Sequence, residues 1–171
     1  MKRTTLLAAF LVGAAISLFS QAGFKNVRDT LIGYEEVPAI STTAHGLFEA
    51  RISNDESSIQ YQLSYSALEG SITQSHIHFG QPGVAGGISV FLCTNLGNGP
   101  VGTQPCPAGP ATISGTITAA NVIGPTDQGI EPGAFAELIA ALRAGRTYVN
   151  VHSSKWPAGE IRAQIDPGHG H

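Results

Sequence analysis

The sequence predicts an all-β fold, an antiparallel β-sandwich or Greek-key-like barrel of about eight strands with one short α-helix. Three observations carry this expectation. Apolar and polar residues alternate at period two over short runs, which is the pattern of half-buried strands. Turn-forming clusters separate those runs, in a chain of 171 residues with 21 glycines and 10 prolines. Helical periodicity occurs once, between Pro132 and Ala144.

In order along the chain, residues 1–22 have the pattern of a secretory signal peptide. Lys2 and Arg3 precede an apolar run from Leu6 to Phe19 that is short for a membrane span. Ser20-Gln21-Ala22 supplies a cleavage site, so export to the periplasm or exterior is expected. Residues 23–29 read as a leader and 30–165 as one folded domain. Thr30 to Tyr34 is a first strand, ended by Pro38, and Ser41 to Gly46 is a connection. Leu47 to Ser53 and Ile59 to Tyr65 alternate around the turn Asn54-Asp55-Glu56-Ser57, which predicts a hairpin.

Gln74 to Gly80 forms the next strand. It puts His76 and His78 on one face and Ile77 and Phe79 on the other. Ile88 to Cys93 is almost entirely apolar and reads as a central strand. Cys93 and Cys106 are the only cysteines, and in an exported chain such a pair is expected to form a disulfide. Ala111 to Thr118 is a strand and Ala119 to Gln128 is irregular. Phe135, Leu138, Ile139 and Leu142 form one helical stripe, with Gly145 placed to end the helix. Arg146 to His152 and Glu160 to Ile165 are the last strands, and residues 166–171 form a flexible tail.

Composition excludes several functions. Charged residues make up 12% of the chain and the formal net charge is −3, with no basic patch, so nucleic acid is not an expected partner. No second apolar segment is long enough to span a bilayer, so no membrane contact is expected beyond the signal peptide. No nucleophile elbow, phosphate loop or Cys/His nucleophile pattern is present, and neither a catalytic residue nor an organic cofactor is predicted.

Four segments together resemble the CHRD domain, the repeat named for chordin, which also occurs as single-domain exported microbial proteins. They are Leu31 to Pro38, His76 to Gly80, Gly145 to His152 and Pro157 to Ile165. Ala163 stands where that family usually has Gly, and Pro38-Ala39 where it often has two prolines. The resemblance implies an extracellular β-sandwich-like module. Because chordin binds secreted growth factors, it also implies an extracellular protein as one class of partner.

The histidines point to a different partner, a metal ion. A His-x-His strand places two ring nitrogens within reach of one ion, and neutral imidazole suits copper and zinc. His152, on a strand of similar pattern, is the expected third ligand, with His45 as a fourth. Asn150, Glu160 and Arg162 are candidates to orient the rings. His-x-His on a sandwich strand also resembles the metal face of copper–zinc superoxide dismutase, which makes a copper redox enzyme the alternative. The remaining reading is a metal-free structural module whose histidines lie on a polar outer sheet face. His169 and His171 in the tail could at most scavenge metal weakly.

Overall fold

The computed structural model describes residues 26–166 and Gly168. The segment with the signal-peptide pattern and the tail histidines lie outside these described residues. The strands are β1 (Asn26–Ile32), β2 (His45–Ile52), β3 (Ile59–Ser66), β4 (Ile72–Phe79), β5 (Gly87–Thr94), β6 (Ala111–Ile117), β7 (Thr147–Ser153) and β8 (Ile161–Gln164). The helix α1 (Phe135–Arg143) precedes β7. All eight strands join one antiparallel sheet in the order β5-β4-β7-β8-β1-β2-β3-β6.

That sheet curls into a nearly closed barrel. Its two ends, β5 and β6, are bridged by side chains rather than by a ladder. The Tyr61 hydroxyl donates to the Leu92 carbonyl at 3.1 Å. Gln104 Nε2 donates to Leu92 on β5 at 3.1 Å and to Ser114 on β6 at 3.3 Å. The alternation predicted from sequence sorts side chains between the two faces. Phe48, Leu63, Ile77, Leu92, Val149, Val151 and Ile161 point inward and are fully buried. The stripe Phe135, Leu138, Ile139 and Leu142 of α1 joins the same core.

Helix α1 starts at Phe135 rather than at Pro132, because Gly133 sits at φ +83°, outside helical space. It ends as the sequence suggests. Gly145 takes φ +63°, and Arg146 N–H returns to the Ala141 carbonyl at 2.9 Å. The hairpin of β2 and β3 pairs residue for residue as expected. Cys93 and Cys106 form a disulfide with Cα atoms 5.1 Å apart. Closing a loop of this length contributes about 3 kcal/mol in the chain-entropy account.

Two expectations need correction. Strand β1 begins at Asn26, so residues 26–29 are not a leader; they pair with Glu49 to Arg51 and Phe48 of β2. Asp29 points inward and is buried, which broke the apolar alternation there. Strand β5 is a sheet edge, not a central strand. Its apolar character comes from cover rather than from two neighbours. Ile123 N–H bonds Ser89, Gln128 accepts from Gly87 N–H, and Thr94 N–H bonds Gln104 of the disulfide loop.

Candidate metal centre

Strands β4 and β7 are neighbours, and their outward residues meet in cross-strand pairs. Gln74 opposes His152, His76 opposes Asn150 and His78 opposes Tyr148. His152 is therefore diagonal to His76. On its other side β4 pairs with β5, with register shifts on both sides of the His76-Ile77 pair. Such bulges re-aim side chains at functional sites. The outward face, which alternation alone would leave in water, is here covered. His76 is 0% exposed, His78 7% and His152 6%.

Hydrogen bonding fixes two tautomers. His78 Nδ1 lies 2.9 Å from the Gly86 carbonyl, and His152 Nδ1 lies 3.0 Å from the Pro157 carbonyl. A carbonyl only accepts, so each Nδ1 carries the proton and each Nε2 presents a bare lone pair. This is how proteins orient metal-ligating imidazoles. His76 Nε2 and His78 Nε2 are buried and make no hydrogen bond of good geometry, although the Asn150 side chain lies close to His78. His152 Nε2 faces His76 Nδ1 at 3.2 Å and Asn150 Oδ1 at 3.1 Å. A bare nitrogen against an amide oxygen brings two lone pairs together, a contact that a cation or the flipped amide relieves.

One ligand atom from each of His76, His78 and His152 can be chosen so that all lie within 4.8 Å of one another. With metal–nitrogen bonds of about 2.0–2.1 Å, three ligands spread around one ion sit about 3.5 Å apart. A small inward movement of the rings would bring all three onto one ion.

Burial also holds the rings neutral, the form that ligates. Desolvation, then the neighbouring His152 and His78, pushes His76 down to about 2. Desolvation, outweighing the Gly86 hydrogen bond, takes His78 down to about 4. His152 is lowered by burial as well.

The CHRD domain model matches residues 27–165, which includes all three histidines and nearly every described residue. The chain belongs to the CHRD domain family. No curated protein and no solved structure matches it significantly.

Around the rings, this CHRD domain builds a support that only partly follows the sequence expectation. Asn150 lies against His152. Arg162 acts on the site through Tyr148. Its guanidinium carbon sits 3.5 Å from the Tyr148 ring centre, and Tyr148 stacks on His78 at 4.6 Å with ring planes 1° apart. Phe91 meets His76 edge-on at 4.4 Å.

Glu160 stands outside the histidine cluster. Its Oε1 accepts from Thr42 Oγ1 at 2.9 Å and from Glu69 N–H at 2.8 Å, tying two loops together. His45 is not part of the cluster either. It starts β2 rather than lying in a connection, it is exposed, and its Nε2 pairs with Ser66 Oγ at 2.8 Å.

Sequence reasoning missed Glu36. Its carboxyl is buried, and Oε1 has no hydrogen-bond partner. Desolvation raises its pKa to about 7, against the lowering effects of the Val37 N–H, Arg162 and Asn150. A Cβ at Gly159, which takes φ +135°, would collide with this carboxyl. That glycine, in the segment Pro157-Ala158-Gly159, was the available signal: it marks a close approach whose partner is 123 positions upstream. Tyr148 was also missed, although alternation puts it on the face of Asn150 and His152, and so were the Gly86 and Pro157 carbonyls, because backbone oxygens leave no mark in a sequence.

Proposed function

We propose that this is an exported CHRD-domain protein that holds one transition-metal ion, copper ahead of zinc, on His76, His78 and His152. The observation that carries this reading is the pair of orphaned Nε2 atoms on His76 and His78, buried beside a third imidazole. An unmade hydrogen bond on a buried polar atom costs about 1–3 kcal/mol. Two such atoms aimed into one small region fit a site built for a ligand. Imidazole nitrogen suits copper and zinc, and copper(II) stands highest in the first-row affinity order.

The burial of all three rings favours holding the ion over turning substrate over. The dismutase-like alternative needs a route for superoxide to the metal. A cytochrome c competition assay on copper-loaded protein separates the two, since superoxide removal above that of free copper would favour the enzyme. The signal-like segment, Lys2 to Ala22, supports export. N-terminal sequencing of secreted material is expected to begin at Gly23.

The decisive experiment is metal titration of metal-free protein, read by bound metal per chain and by melting temperature. One ion per chain is expected. At a hundred times the dissociation constant the stabilisation would be about 2.7 kcal/mol. The His76→Ala/His152→Ala double variant is expected to show neither response. Wild-type protein that binds no metal and melts unchanged leaves the metal-free, protein-binding module as the surviving interpretation.

A further inference from the structure

Resting on the proposed metal site, we infer that it selects copper(I) over divalent ions, and that Arg162 sets this preference. Two independent features of the geometry carry the inference. The first is the donor set. Among the described residues, the cluster that gathers on one point holds three imidazoles and no carboxylate. Copper(II) prefers a tetragonal arrangement of nitrogen and oxygen ligands, and zinc(II) completes a tetrahedron with a fourth ligand. Copper(I), a closed-shell ion, is content with three neutral donors. The three rings lie under cover at 7% exposure or less, which keeps bulk water from supplying further ligands.

The second feature is a fixed positive charge. Arg162 is 2% exposed. It donates to neutral oxygens, the Val84 carbonyl at 3.0 Å, the Gln81 carbonyl at 3.4 Å and Gln164 Oε1 at 3.2 Å. The guanidinium lies on Tyr148, which lies on His78, so one cation is held a single aromatic ring away from a ligand. In a buried setting charges act on one another strongly, and the repulsion scales with the charge on the ion. Arg162 therefore penalises a divalent ion about twice as much as a monovalent one. Glu36 and Glu35 are the acidic groups that act back on Arg162, and Glu36 is the buried one. They give the experiment its opposite arm.

Affinities for copper(I), measured anaerobically against a chromogenic cuprous chelator, and for copper(II), measured against a cupric chelator, give a ratio for each variant. Arg162→Gln is expected to lower the cuprous-to-cupric ratio at least tenfold, equivalent to 59 mV for a one-electron couple. Glu36→Gln is expected to raise it. Arg162→Lys, which keeps the charge but loses the planar contacts to Val84 and Gln81, should stay near wild type. A ratio that is the same in Arg162→Gln, Glu36→Gln and wild type, with copper still bound, overturns the role of Arg162 and leaves the metal site standing. A wild-type protein that binds neither form of copper overturns both. Should Arg162→Gln not fold, the Glu36→Gln and Arg162→Lys arms decide alone. In that case a rise in the first with no change in the second supports the inference, and any other pattern overturns it.

Discussion

The β2–β3 hairpin and the β4–β7 pair are built on the same alternation and treat their outward faces in opposite ways. On β2 and β3 the outward residues Arg51, Gln60 and Gln62 stand in water, and Arg51 simply opposes Gln60. On β4 and β7 the outward residues His76, His78, Tyr148, Asn150 and His152 are all buried. Inward, the two regions are alike: Leu63 on β3 and Ile77 on β4 are 0% and 1% exposed. A hydrocarbon side chain asks only for neighbours. A covered imidazole also asks for a donor or acceptor on each nitrogen, and here two nitrogens have none. The fold thus tolerates on one side of the barrel an expense that it avoids on the other.

The largest expected effect tests whether the inward faces are equivalent. Leu63→Ala and Ile77→Ala should each cost about 2–5 kcal/mol, the usual range for emptying a well-packed core position. Chemical denaturation midpoints measure this directly. A cost at Ile77 far below that at Leu63 would mean that the β4–β7 half is loosely packed inside as well, and the contrast would no longer be one of outward faces.

Acid should separate the regions next. In the metal-free protein the unfolded chain binds protons on these histidines near their ordinary value of about 6.5, while the folded chain resists. Stability from the neutral rings is complete above pH 6.5. It is lost as pH falls toward about 4 for His78 and about 2 for His76. Glu36 works the other way. Its raised value, about 7, gives stability that is complete below pH 4.5 and disappears as pH rises through 7. Three imidazoles outweigh one carboxyl, so the metal-free protein should weaken on acidification. Glu36→Gln, which deletes the opposing contribution, should make that loss steeper between pH 7 and 4.5. Thermal melts across this range, compared for the two proteins, check the sign. A shallower loss in the variant contradicts it.

Replacing the covered ring by hydrocarbon should have a smaller effect, because two changes oppose each other. His76→Leu removes the orphaned Nε2 and keeps a side chain that can pack against Phe91. It also takes away the Nδ1 that faces His152 Nε2, so one buried nitrogen loses a partner as another is removed, and the metal-free variant should stay within about 1 kcal/mol of wild type. The same substitution should abolish the metal response. A loss of several kcal/mol would instead show that His76 is structural.

Much of this contrast was written in local patterns. The period-two runs located both pairs of strands, and the α1 stripe located the helix. The i, i+2 spacing of His76 and His78 set their common face, and His152 followed from the same reasoning on β7. What alternation cannot express is whether an outward face will be covered. Here part of the cover comes from the 81–86 loop, anchored to Arg162, Tyr148 and His78, and from the turn that carries Glu36. Neither has a periodicity to read. Glu160 was not legible either: it precedes β8 and is held by Thr42 and the Glu69 N–H, both distant in sequence. Inward Asp29 hid the start of β1, and the cover over β5 made an edge strand look central.

The smallest expected effect belongs to His45, and it tests the contrast where the two regions meet the same residue type. In the ladder His45 opposes Ile32, Ile32 opposes Arg162, Arg162 opposes Asn150 and Asn150 opposes His76. The two histidines therefore occupy one row of the sheet and point to the same outward side. His45 lies at the solvated end of that row, where its Nδ1 contacts the Thr43 carbonyl at 3.2 Å and its Nε2 the Ser66 hydroxyl. Both contacts are exposed and exchangeable with water. His45→Ala should change stability by no more than about 0.5 kcal/mol and leave metal stoichiometry and affinity unchanged. His76→Ala, four strands away along the same row, should lose the metal. Equal losses of metal binding in the two variants would make the row, rather than its covered end, the ligand-bearing unit.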